Sequence, residues 1–136
     1  MIGLDTNILV RYIMQDDVSQ SALATRFIES RSQESPGFVA LVVVVEVVWV
    51  LSYAFELEKL QLIEVLQRIL RARELLVENA ETVWKALRAF AGANADFADC
   101  LIGSSAAAVR CKKTLTFDRG AAKGAGMTLL GSEDDY

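Results

Sequence analysis

Phe38-Val39-Ala40-Leu41-Val42-Val43-Val44-Val45-Glu46-Val47-Val48-Trp49-Val50-Leu51 is the stretch on which the fold turns. It is apolar but for Glu46. At 14 residues, with a carboxylate inside it, it is too short and too costly to span a bilayer. Its valines favour strand, but a strand reaching Tyr53 would be unusually long. The reading is therefore a short buried strand over Phe38–Leu41, then a helix running to Tyr53. Ser35-Pro36-Gly37 is a turn signal just before it.

The same alternation continues on both sides. Upstream, Met1–Leu4 reads as a buried strand. A polar turn at Asp5-Thr6-Asn7 leads into a short helix capped by Thr6 or Asn7, and a helix over Val18–Ser30 follows a break at Asp16-Asp17. Downstream, the spacing predicts a helix over Lys59–Ala72 and a strand at Leu75–Val77. Asn79 is placed to cap a helix over Ala80–Ala91, and Asn94 or Asp96 opens another through Arg110. Strands follow at Thr114–Phe117 and Met127–Leu130. Short apolar strands without polar alternation, each followed by a helix, predict an α/β fold with a mostly parallel sheet of four to five strands. Ligands of such sheets bind beyond the carboxyl ends of the strands.

The chain has 136 residues, 53% of them hydrophobic, which fits one folded domain over 1–131 and an acidic tail over 132–136. It contains no His, so Ser-His-Asp and Cys-His catalysis and His-ligated zinc are excluded; two Cys cannot complete a thiolate zinc site. Those two thiols, and an opening decapeptide with Asp5 and no basic segment, lead to the expectation of a reducing cytoplasm and no secretory leader. The net charge of −4 owes much to Glu133, Asp134 and Asp135, and the remaining acids and bases nearly balance. Bases concentrate at Arg110, Lys112, Lys113, Arg119 and Lys123, a stretch suited to phosphates or to plain solvation.

Four acids look out of place. Asp5 ends the first strand, Glu46 interrupts the valine run, Asp99 follows Asp96 in an otherwise apolar helix start, and Asp118 ends Thr114-Leu115-Thr116-Phe117. Each has an ordinary explanation. Asp5 and Asp118 suit turns, Asp96 suits an N-cap, Asp99 suits a first helical turn, and Glu46 can pair with a buried Arg. Asp5 and Asp118 both end predicted parallel strands and so fall on one rim of the sheet, and Asp99 falls on the same rim if its connection is a normal αβ unit. Converging carboxylates repel, and a hard divalent cation, Mg²⁺ or Mn²⁺, relieves the repulsion.

These positions, in this order, resemble the PIN-domain nucleases, most closely the VapC-type toxins of toxin–antitoxin pairs. The segments that carry the likeness are Ile2-Gly3-Leu4-Asp5-Thr6-Asn7-Ile8-Leu9, Val45-Glu46-Val47-Val48-Trp49-Val50-Leu51, Asp96-Phe97-Ala98-Asp99-Cys100-Leu101-Ile102 and Leu115-Thr116-Phe117-Asp118. The resemblance implies an α/β/α sandwich with a central parallel sheet. It implies a Mg²⁺- or Mn²⁺-dependent endoribonuclease with Asp5, Glu46, Asp99 and Asp118 as both catalytic and metal-holding residues. Asp96, Asn7 and Thr116 would assist, and Arg119 and Lys112 would hold flanking phosphates. Its partners would be RNA, a cognate antitoxin and a second copy of the chain, with no membrane. The rival classes are a PIN-like binding module, an Asp-based phosphatase and a phosphoacceptor receiver. The phosphatase wants a second Asp where Asn7 stands, the receiver wants a late Lys better placed than Lys123, and a binding module would lack one of the four acids.

Overall fold

The computed structural model describes residues 1–131; the acidic tail expected over 132–136 lies outside the described residues. The chain forms two compact units, Met1–Ala80 and a second from Glu81 onward. In chain order the first contains β1 (Ile2–Gly3), α1 (Thr6–Met14), α2 (Val18–Glu29), β2 (Gly37–Val39), α3 (Leu41–Tyr53), α4 (Lys59–Arg71) and β3 (Leu75–Val77). After it come α5 (Ala80–Gly92), α6 (Phe97–Ala108), β4 (Leu115–Thr116), α7 (Arg119–Gly124) and β5 (Thr128–Leu129). No helix among the described residues is long and apolar enough to cross a membrane.

The α/β expectation holds, and the five strands among the described residues pair parallel. They do so as two sheets, β1-β2-β3 in the first unit and β4-β5 in the second. Ile2 pairs with Gly37, and Gly37, Phe38 and Val39 pair with Leu75, Leu76 and Val77. β2 enters at a glycine because Leu4 packs there: a Cβ on Gly37 would lie 2.7 Å from Leu4 Cδ1. β1 is not the buried strand expected. Only Leu4 is buried, while Ile2 and Gly3 are exposed.

The valine run resolves as strand then helix, but the strand ends at Val39 and the helix begins at Leu41. Helix propensity costs each valine at most about 0.7 kcal/mol relative to Ala. Burying a valine or leucine side chain returns about 1.5–3 kcal/mol. Val43, Val44, Val47 and Leu51 fall on one helical face and all are buried, so packing decides against the intrinsic β preference. Ala40 precedes the helix without a capping side chain, and Glu78, just after β3, supplies the missing acceptor: its Oε1 takes the Leu41 N–H at 2.7 Å.

In the first unit α1 packs on α2 and α3, and α4 on β3. Helix α4 buries Leu62, Val65, Leu66 and Ile69 and leaves Leu60 exposed. In the second unit α5 buries Val83, Ala86, Leu87 and Phe90, and α6 buries Phe97, Cys100 and Leu101. Phe90 and Phe97 meet edge to face at 5.8 Å. Helix α6 stops at Ala108, short of Arg110, whose φ of 66° is left-handed. Helix α7 is an element the sequence reading did not expect; it packs on α6, β4 and β5. Its contact with α6 is close, for a Cβ on Gly103 would stand 2.9 Å from the carbonyl oxygen of Ala125.

Candidate active site

The acids of the first unit are organised by one buried threonine. Asp5 follows β1 and is the N-cap of α1, in extended conformation, with Oδ1 accepting the Thr6 N–H at 2.8 Å. Asp5 thus replaces Thr6 or Asn7 as the expected cap, because its carboxylate is the acceptor that lies against the first free N–H of the helix. Thr6, only 6% exposed, turns its hydroxyl the other way and donates to Glu46 Oε1 at 2.9 Å. One residue therefore links the acid at the end of β1 to the acid on the second turn of α3. Asn7 is exposed beside them and lines an apolar groove of about 620 Å³ with Ile8, Leu23 and Phe27.

Glu46 departs from the burial that its apolar surroundings in sequence imply. It is not a buried carboxylate, and no Arg neutralises it among the described hydrogen bonds and ion pairs; it stands exposed on α3, opposite the buried valines. Asp5, Asp96 and Asp118 are exposed as well, and Asp99 is half-buried. Sequence reasoning passed over Thr6 as more than a cap, and passed over Glu78 altogether. A hydroxyl residue directly after the acid that follows β1 was the signal for the first. Glu78 was discoverable as an acid directly after a parallel strand, since β1 and β3 run the same way and end on the same rim.

In the second unit Asp96 is the residue before α6, and Asp99 lies in the first turn of that helix. Asp118 follows β4 and is the N-cap of α7: Oδ1 accepts from Gly120 N at 2.8 Å and Ala121 N at 3.4 Å. Thr116 holds the same residue from behind, its hydroxyl oxygen accepting the Asp118 N–H at 3.0 Å. The three carboxylates feel one another. Partial burial, then the negative charges of Asp96 and Asp118, push the Asp99 carboxyl above its usual range. Arg119, the first residue of α7, and Lys112, ahead of β4, are both exposed in this unit.

Asp5 and Glu46 thus belong to one compact unit, and Asp96, Asp99 and Asp118 to the other. Every donor named is a carboxylate or hydroxyl oxygen, the set that suits a hard cation such as Mg²⁺ or Mn²⁺ and that soft metals do not favour. Asp99 is raised first by burial and then by the charges of Asp96 and Asp118, and it is this second, electrostatic part that such a cation would relieve. As the side chains lie, no group of three or more Asp, Glu or Cys among the described residues is placed to hold one ion. The donor chemistry therefore fits the ion, and a complete ligand set is not assembled.

Comparison with known protein families gives a match. The model of the PIN domain aligns with residues 2–127 of the chain. Neither the curated proteins nor the solved structures gave a match.

Proposed function

This chain belongs to the PIN-domain family, whose members are in general metal-dependent nucleases, and on that footing we propose that it is an endoribonuclease. Asp5, Glu46, Asp99 and Asp118 form its acidic site, with Asp96, Asn7 and Thr116 in support. The observation that carries the reading is the extent of the match, which runs from before Asp5 to beyond Asp118 and so encloses all of these acids. Mg²⁺ or Mn²⁺ would be held by the four carboxylates, and when bound it would activate water and stabilise charge on a phosphodiester in line.

The chain's own residues do the rest. Thr6 fixes one oxygen of Glu46 through its hydroxyl and leaves the other oxygen free to ligate. Asp118 keeps one oxygen on the α7 N-terminus, which leaves Oδ2 for the site. Partial burial, then the charges of Asp96 and Asp118, hold the Asp99 carboxyl above its usual range, so a bound cation would favour its ionised form. Arg119 and Lys112 would grip phosphates beside the bond to be cut. No imidazole takes part, since the chain has none.

The finer reading is a toxin of a toxin–antitoxin pair, acting in the cytoplasm as a dimer and restrained by an antitoxin. It is supported by the likeness of the four acidic segments to VapC-type toxins. The test is incubation of purified protein with structured and single-stranded RNA in Mn²⁺, Mg²⁺ or EDTA, beside Asp5→Asn. Metal-dependent cutting absent from the variant is the expected result. Intact RNA under every condition, from protein shown by mass spectrometry to carry no bound partner, overturns the ribonuclease reading.

A further inference from the structure

Helix α3 starts without a cap of its own, and the residue that supplies one follows a different strand. Ala40 alone separates the end of β2 at Val39 from the start of α3 at Leu41, with φ −65° and ψ 154°. The dihedrals of that one residue set the direction of the helix axis. Glu78 closes on it from both sides. Its backbone N–H donates to the Val39 carbonyl at 2.9 Å. Its carboxylate Oε1 accepts the Leu41 N–H at 2.7 Å. One residue, 37 positions beyond Leu41, thus holds the last residue of the strand and the first residue of the helix.

The usual cap is a Ser, Thr, Asp or Asn just before the helix, and it satisfies an N–H group without tying the helix to anything else. An acceptor borrowed from beyond β3 also ties α3 to the sheet. Glu46 stands five residues after Leu41, about 7.5 Å along the axis, so a swing of the helix about Ala40 displaces its carboxylate. β2 lies between β1 and β3. From the β1 side, Thr6 donates its hydroxyl to Glu46 Oε1 at 2.9 Å. From the β3 side, Glu78 holds the Leu41 N–H. The helix is gripped at two levels, from beyond the two strands that flank its own. We propose that Glu78 is a positioning residue for Glu46, acting through the start of α3 without touching metal or substrate. The role needs reach and an accepting oxygen, not a charge. Gln should therefore replace Glu78, and Asp, one methylene shorter, should not. The inference rests on the assignment of Glu46 to the acidic site for its effect on the reaction, though not for the clasp on Ala40.

The test uses the full-length chain as wild type, Glu78→Ala, Glu78→Gln and Glu78→Asp, each checked for folding by circular dichroism. Should Glu78→Ala not fold, the Gln and Asp variants carry the same comparison. Amide hydrogen exchange in EDTA reads the clasp without metal or substrate. Loss of a capping acceptor converts to about a 2- to 30-fold effect. The Leu41 amide should exchange faster by that factor in Glu78→Ala and Glu78→Asp, and as in wild type in Glu78→Gln. Mn²⁺ binding, followed by water-proton relaxation, reads the site without turnover. Residues that orient metal ligands carry about 10- to 100-fold in metal affinity. Glu78→Ala should lose about tenfold, the lower end, because Thr6 still holds Glu46. In a Glu46→Gln background it should lose nothing more, whereas a merely structural role would cost the same factor in both. On RNA, kcat should fall in the Ala and Asp variants with KM unchanged. Faster Leu41 exchange with unaltered Mn²⁺ affinity and kcat would leave Glu78 a cap and overturn the proposal. Glu78→Gln failing as badly as Glu78→Ala would assign the effect to charge and overturn it too. If the wild type binds Mn²⁺ but cuts no RNA, the ribonuclease reading falls, and exchange and Mn²⁺ binding still decide the positioning. If the wild type cuts and every variant cuts and binds Mn²⁺ like it, the positioning falls and the ribonuclease stands. A wild type that neither binds Mn²⁺ nor cuts overturns both.

Discussion

Asp118 carries two assignments that one pair of substitutions separates. As the N-cap of α7 it accepts two backbone N–H groups, and as a member of the acidic site it contributes a negative charge. Asn keeps the accepting oxygen and is among the best N-caps; Ala removes both the oxygen and the charge. Loss of an Asp cap costs about 1 kcal/mol, within a range of about 0.5–2. Helix α7 packs on α6, β4 and β5 and buries Ala121, so the loss is transmitted to its unit and is not confined to a fraying end. Unfolding entropy near 2.1 cal/mol/K per residue, over 136 residues melting cooperatively, turns 1 kcal/mol into about 3–4 °C of Tm. Asp118→Ala should therefore melt about 3–4 °C lower in EDTA, Asp118→Asn within about 1 °C of wild type, and both should lose metal-dependent cleavage. The assays are calorimetry of the metal-free proteins and RNA cutting in Mn²⁺. Full cleavage by Asp118→Asn would refute the electrostatic role and leave Asp118 as a cap alone. An unchanged Tm for Asp118→Ala would refute the capping argument.

Three further outcomes follow from the geometry. The folded Asp99 carboxyl titrates above its unfolded value of 3.8, so its protonation stabilises the fold below that value, and this stability is lost as pH rises through the raised pKa. Asp99→Asn should flatten that acid-side slope and be more stable than wild type at neutral pH while cutting no RNA; urea titrations in EDTA at a series of pH values read it, and an unaltered slope counts against the crowding of Asp96, Asp99 and Asp118. Thr6→Val keeps the buried volume but removes the hydroxyl on Glu46, worth about 1 kcal/mol of positioning, so kcat should fall about fivefold with the fold intact by circular dichroism; unchanged kcat would show that Glu46 needs no such tether. Gly103→Ala drives a Cβ to 2.9 Å from a backbone carbonyl of Ala125, a clash that no side-chain rotation relieves. It should cost about 1–3 kcal/mol, or about 3–10 °C in Tm, and a neutral result would mean that α6 and α7 yield easily.

What the sequence disclosed, and what it hid, follow one physical division. Asp5 and Asp118 were legible because an Asp just after a parallel strand is a position set by the backbone, and both residues do follow strands and cap the helices that come next. The strands themselves are two or three residues long, too short for periodicity to define, so neither their early ends nor their division into two sheets was readable. Helix α7 was hidden because Arg119-Gly120 looks like a turn, whereas Asp118 caps two N–H groups there and the Ala122 N–H returns to the Asp118 carbonyl. Glu46 was singled out for burial that it does not have. An uninterrupted valine run reads as buried all round, whereas α3 buries one face and leaves Val42, Glu46, Trp49 and Tyr53 in solvent. That error is informative. A core helix gains nothing from placing a tryptophan, a tyrosine and a glutamate on its wet face, and helix propensity does not call for them either. The arrangement is legible only once the helix is seen to bury one face and to leave the other in solvent.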